Sequence, residues 1–219
     1  MKNKLNILYE DNHIIVVEKP FNILSQSDDT KDIDMLTIIK EYIKEKYNKP
    51  GNVYLGLVHR LDRPTGGLMV FAKTSKAASR LSKQIKDNKM IKKYLAIVIG
   101  TLKEKQKTLE DYIEKTNDNS SIITTKEKGK YAKLNYVILK EKNNLSLVEI
   151  ILDTGRHHQI RIQFKNINHP LYGDQRYGEQ NKEQLALYAH YLEFTHPVTK
   201  ERLKFSLLPK KVGIWKEFI

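Results

Sequence analysis

The sequence predicts an α+β fold, a mixed and mainly antiparallel β-sheet with a few flanking helices. Strand-like runs are interrupted by a small number of helical stripes without regular β-α-β alternation, and neither G-x-G-x-x-G nor G-x-x-x-x-G-K-[ST] occurs, which disfavours a Rossmann arrangement. No repeat with a period of roughly 20–50 residues and no Pro/Ser-rich linker divides the chain, so residues 1–219 read as one domain.

The chain opens with two apolar runs, Ile7 to Tyr9 and Ile14 to Glu18, on either side of the turn-rich Glu10-Asp11-Asn12-His13. This is a hairpin, stopped by Lys19-Pro20. From Asp34, a candidate N-cap, Leu36, Ile39, Ile43 and Tyr47 recur at helical spacing until Pro50-Gly51. Leu68 to Ala72 form an apolar strand. Thr74 or Ser75 then caps a second helix with the stripe Ala78, Leu81 and Ile85. Strand character returns over Lys93 to Ile99. The polar stretch Thr101 to Lys130 is expected to hold short edge strands and mobile loops. Ala132, Leu134, Tyr136 and Ile138 alternate, Lys142-Asn143-Asn144 turns the chain, and Leu145 to Leu152 return, making a hairpin. Ile160, Phe164 and Ile167 after Thr154-Gly155 predict a short helix.

Thirty-nine Lys and Arg against 26 Asp and Glu leave a formal net charge of +13. Such a surplus points to a polyanionic partner. The 40% hydrophobic content excludes a disordered polar chain, and the absence of cysteine excludes disulfides, thiolate metal sites and thiol nucleophiles. No apolar run approaches the roughly 18–20 residues of a membrane span, and Met1-Lys2-Asn3-Lys4-Leu5 lacks a secretory core, so a cytoplasmic protein is expected.

Chemistry concentrates in residues 58–74, where a basic, turn-rich stretch with a single carboxylate, Asp62, runs into the Leu68 to Ala72 strand. Asp62 lies between Arg60 and Arg63, and Gly66-Gly67 let the backbone bend closely. Charge alone leaves two readings open: a surface turn held by arginines, or a functional acid. The segment His59-Arg60-Leu61-Asp62-Arg63-Pro64-Thr65-Gly66-Gly67-Leu68 resembles the H-R-L-D-x-x-T-[ST]-G-[LIV] signature of the RluA-type pseudouridine synthases. Ile14 to Leu24 is similar to that family's K-P-x-G-[LM] opening, and Lys93 to Val98 to its K-x-Y-x-A-x-V strand. Thr154 to Arg161 matches T-G-R-x-H-Q-[IL]-R, His169 to Asp174 matches H-P-[IL]-x-G-D, and Tyr188 to Pro197 resembles its closing segment. Two departures stand out. Gly66 replaces a Ser or Thr, and Asn22 replaces a Gly where positive φ is expected, a conformation Asn tolerates.

The resemblance implies the pseudouridine synthase fold and an isomerase that needs no cofactor and no metal. It implies that Asp62 is the catalytic acid, acting as nucleophile or as base, that Arg161 keeps it ionised, and that Tyr94 stacks on the target base. By periodicity alone Tyr94 is a core tyrosine and Arg161 an exposed helix arginine. The equivalent of Arg60 fills the space left by the extruded base, although a phosphate contact is as compatible with its chemistry. His59, Arg156 and His158 fall in motifs that the family uses for structural or RNA-facing groups. Lys19, Lys73, Lys92, Lys93, Lys126, Lys128 and Lys130 are candidates for a salt-dependent grip on RNA. The expected partner is a ribosomal or transfer RNA stem-loop, bound by a monomer without a separate N-terminal RNA-binding domain. The competing function is a catalytically inactive RNA-binding or RNA-folding module of the same fold; a metal nuclease or inverting hydrolase needs more carboxylates than this segment offers.

Overall fold

The computed structural model describes residues 5–179 and 182–219. Met1 to Lys4, part of the leader reading, lie outside them. The architecture is mixed, mostly antiparallel sheet with three α-helices, as the sequence predicts. Its internal contacts group the chain into two compact units, 1–91 with 191–207, and 92–190 with 208–219.

In the first unit β1 (Ile7–Glu10) and β2 (Ile14–Lys19) form the expected hairpin, whose turn is fixed by Asp11, accepting from the N–H groups of His13 and Ile14 at 2.8 Å each. β2 pairs antiparallel with β4 (Gly66–Ala72), which also carries the two-residue β3 (Gly56–Leu57). Strand β10 (Leu187–Thr195) follows β4 in the sheet order, and β11 (Arg202–Ser206) pairs with β10. Every residue of β4 is buried, because the core formed by Ile14, Val16, Leu68, Val70, Leu81 and Phe194 lies along it. Helix α1 (Met35–Lys46) is capped by Asp34, whose side chain accepts from Thr37 N–H, and α2 (Ser75–Lys86) by Thr74, accepting from Ala77 N–H. Both caps were legible. Tyr47, however, is not part of the buried stripe: it is the C-cap of α1, 45% exposed, with its hydroxyl on Glu10 at 2.9 Å.

Glu10 ties α1 to the hairpin by accepting from Tyr42, Lys46, Tyr47 and Lys73. Burial by itself would raise its pKa, but the Lys46 and Lys73 ammonium groups and the two hydroxyls prevail and hold it at about 2. Because this lies below the unfolded value of about 4.3, the stabilisation is complete above that pH and drains away between about 4.3 and 2. Glu10→Gln should therefore flatten the acid limb of stability, by on the order of 2 kcal/mol, in urea titrations across that window.

In the second unit the strand order is β10, β5 (Ile91–Ile99), β9 (Leu145–Leu152), β8 (Lys130–Lys142), β6 (Gln106–Lys115) and β7 (Ser121–Thr124). The β8–β9 hairpin turns at Asn143 and Asn144, both in the left-handed region at φ 52° and 55°. Of the short edge strands expected in 101–130, β7 is one, ending the sheet order with four residues, whereas β6 has ten and is bonded on both sides, to β7 and to β8. Of the ten residues of β6 only Leu109 and Ile113 are buried, so its alternation is faint in the sequence. Helix α3 (Gln159–Asn166) is the predicted short helix.

Candidate active site

The Asp62 loop lies in the first unit, between β3 and β4. Its backbone is held on both sides of the carboxylate. Leu61 exchanges two hydrogen bonds with Ser25 Oγ, donating at 3.1 Å and accepting at 2.7 Å. Thr65 N–H closes a turn onto Asp62 O at 2.9 Å, and His59 Nε2 accepts from Val70 N–H at 3.1 Å, bracing the loop against β4. Gly67 takes φ 120° opposite Lys19, so glycine is needed there for conformation, whereas Gly66 is buried outside that region. Asn22 has φ 65°, the left-handed geometry anticipated for it.

Lys19 is the residue that the sequence misassigned. It is 0% exposed, so it does not grip RNA from the surface. Its ammonium donates to Pro20 O at 3.0 Å, Ile23 O at 2.5 Å and Arg63 O at 3.0 Å, which uses all three of its N–H bonds. Burial pulls its pKa down to about 7, and the negative charge of Asp62 opposes that fall. Lys19 thus staples the opening segment to the loop and places a buried cation beside the carboxylate. Lys73 is also corrected, being spent on Glu10 and lying over the Tyr47 ring, and Lys93 pairs with Glu149 at 3.1 Å. Asp62 itself is half-buried, and Arg60 is exposed.

Tyr94, Arg156, His158 and Arg161 lie in the second unit. Tyr94, 6% exposed, lies in the middle of β5 opposite Ile150. Gln159 builds the start of α3: its Oε1 accepts from Arg156 N–H at 2.9 Å and Thr154 Oγ1 at 2.8 Å, while Nε2 donates to Lys133 O at 3.1 Å. Residues 159–164 of α3 are all buried, so its polar groups must be satisfied from inside the protein. Arg161 is accordingly not an exposed helix arginine. Its Nε and Nη2 make a two-pronged ion pair with Asp174, at 2.8 and 2.7 Å, the two side chains being 6% and 0% exposed. Asp174 Oδ1 also accepts from the N–H groups of Arg176 and Tyr177 at 3.0 Å each. Beneath the guanidinium lies the Tyr177 ring, 5.1 Å from centroid to Cζ.

His158 sits at φ 52°, with Nδ1 2.8 Å from Tyr177 Oη and its ring stacked at 3.8 Å on His157. Burial, followed by the positive charge of Arg161, drives its pKa down to about 2 and leaves it a neutral hydrogen-bonding group. Arg156 donates from Nε to Tyr131 O at 2.7 Å. Asp174, Tyr177 and Gln159 hold Arg161, His158 and the start of α3, and the sequence reading left them without a role. The signal for Asp174 was present, since it ends the H-P-L-Y-G-D segment. Among the described residues no group of three or more His, Cys, Asp or Glu is arranged to hold a metal ion, and no helix is long and apolar enough to cross a membrane.

Comparison with known proteins completes the picture. Residues 13–166 match the family model described as RNA pseudouridylate synthase. An uncharacterized RNA pseudouridine synthase of Aquifex aeolicus is 33% identical over 217 residues, covering 93% of this chain and 69% of its own. Ribosomal large subunit pseudouridine synthase C of Buchnera aphidicola is 33% identical, covering 92% and 67%, and synthase D of Zymomonas mobilis 31%, covering 92% and 68%. This chain therefore spans about two thirds of those relatives. Human RNA pseudouridylate synthase domain containing 4 and 1 share the fold, with TM-scores of 0.79 and 0.77 at 21% and 24% identity, over 94% and 96% of this chain and 89% and 85% of theirs. With the family model spanning most of the chain and relatives at this identity along nearly all of it, the protein belongs to the RluA-type RNA pseudouridine synthases, isomerases that act on RNA.

Proposed function

We propose that this chain converts specific uridines in structured ribosomal or transfer RNA into pseudouridine in the cytoplasm, as a monomer, with residues 1–219 as a single catalytic domain and Asp62 as the catalytic residue. The observation that carries this reading is the clamp on the Asp62 loop: a fully buried lysine and a buried serine fix the backbone around one carboxylate. A loop held this firmly suits a group that must meet a substrate atom repeatedly in one geometry.

The reaction breaks the bond from ribose C1′ to uracil N1 and forms one from C1′ to C5, with the C5 hydrogen lost as a proton and N1 protonated. Nothing is oxidised and no group is transferred to another molecule, so neither metal nor nucleotide is required. Asp62 acts on the sugar, as nucleophile at C1′ or as base at C2′. Lys19 adds positive charge near it from within the first unit. Arg161, which the family resemblance assigns to keeping the carboxylate ionised, is itself held by Asp174 through Nε and Nη2. Tyr94 stacks on the extruded base, and exposed Arg60 enters the gap in the RNA stack. His59, Arg156 and His158 act at the RNA side of the two segments that carry Asp62 and Arg161.

Support for the ribosomal substrate comes from the relatives named as ribosomal large subunit synthases, and support for RNA in general from the net charge of +13. The test is release of tritium to water from RNA labelled at uridine C5, with purified protein and chelator present. Stoichiometric release at a discrete set of sites is expected. Tight RNA binding without release would reject the isomerase reading.

A further inference from the structure

Lys92 and Tyr94 are two residues apart on β5, so they leave the sheet on the same face, roughly 6.6 Å apart along the strand. That face is the one covered by α3: Tyr94 is opposite Ile150, Ile150 is opposite Tyr136, and the Tyr136 ring packs on Phe164 at 5.4 Å. Lys92 is half-buried there, and burial alone pulls its pKa down. Neighbouring Lys93 points the other way and has Glu149, but none of the hydrogen bonds or ion pairs among the described residues involves the Lys92 ammonium. A partly desolvated cation without a counter-charge costs folding free energy that Met or Leu at the same place would not.

The ammonium lies over Gly155, where an added Cβ would come within 3.8 Å of Lys92 Nζ. Gly155 is exposed and is not among the residues of positive φ, so its backbone does not call for glycine. What the missing side chain provides is an open approach to a half-buried positive charge.

We propose that Lys92 anchors the phosphate of the nucleotide whose base stacks on Tyr94, reached across the bare backbone of Gly155. The proposal rests on the isomerase reading above and deepens it, naming the substrate group that this part of the site holds. A nucleotide carries its phosphate across the ribose from its base, and the spacing of ammonium and ring along one strand face suits that arrangement. Partial burial lowers the effective dielectric, so an ion pair here is stronger than one made by an exposed lysine such as Lys126 or Lys128.

The experiment measures the affinity of a short fluorescein-labelled oligouridylate over a series of potassium chloride concentrations, with thermal melts confirming that each variant is folded. Lys92→Met should weaken binding about tenfold at low salt and reduce the slope of log affinity against log salt by about 0.7, the loss of one single-strand phosphate contact. Lys92→Arg should stay within about twofold of wild type with the slope kept. Gly155→Leu, which retains the charge but covers it, should weaken binding as Lys92→Met does. Equal affinity and slope for wild type and Lys92→Met would overturn the proposal, as would a Lys92→Arg protein as weak as Lys92→Met, since packing and not charge would then be at stake. Binding is read here, so this outcome is separate from the isomerase reading, which fails if Asp62→Asn still turns RNA over.

Discussion

Asp62→Asn should abolish tritium release from RNA labelled at uridine C5, lowering turnover by roughly 10⁴-fold or more while affinity for the same RNA stays within about threefold. The amide matches the carboxylate in shape, so Leu61, Thr65 and Ser25 keep their hydrogen bonds and the loop keeps its path. What disappears is a group able to attack C1′ or to accept the C2′ proton. A second consequence follows within the first unit. The Asp62 charge is what opposes the downward pull of burial on Lys19, so its loss should lower the Lys19 pKa further below about 7, readable by NMR titration of the labelled ammonium. Full turnover by Asp62→Asn would remove the residue from the mechanism.

Asp174→Asn should cost about 3–5 kcal/mol in urea unfolding, because the buried Arg161 cation then faces a neutral amide in place of a carboxylate. Turnover should fall with it, by about a hundredfold, since the guanidinium is no longer held from two directions. The paired substitution Arg161→Met with Asp174→Leu separates the two effects. Replacing a buried ion pair by apolar side chains of similar size is often neutral for stability, so folding should recover in part, short of the cost of the Arg176 and Tyr177 N–H groups that lose Asp174 Oδ1 as their acceptor. Turnover should not, because the cation has gone. Recovery of both would mean that the pair serves only to hold α3 in place.

Local chemistry made much of this protein legible. Asp34 and Thr74 cap helices where short polar side chains before apolar stripes predict caps, and Asn143-Asn144 turns a hairpin as two residues tolerant of positive φ should. The motif segments located Asp62 and Arg161 but not the partners that fix them. Lys19 reads as a surface lysine because its acceptors are backbone carbonyls, one of them at Arg63, 44 residues on, and carbonyls leave no mark on a sequence. Asp174 was visible as the end of a motif yet silent about its use, since pairing with Arg161 depends on how the chain returns after α3. Strand β6 was expected to be a short edge strand because one of its faces is wet and charged, so its alternation rests on few apolar residues. Periodicity could not separate Lys92 from the other lysines; burial and the open glycine beside it do.

Whether the protein makes pseudouridine is decided by mapping the modification across total RNA from cells with and without the gene, then treating the deficient RNA with purified protein in the presence of chelator. One or a few uridines in structured loops should lack the modification in the deficient cells, and wild-type protein should restore them while Asp62→Asn does not. Identical pseudouridine maps from the two strains, together with no modification of either RNA by the purified protein, would contradict the isomerase reading.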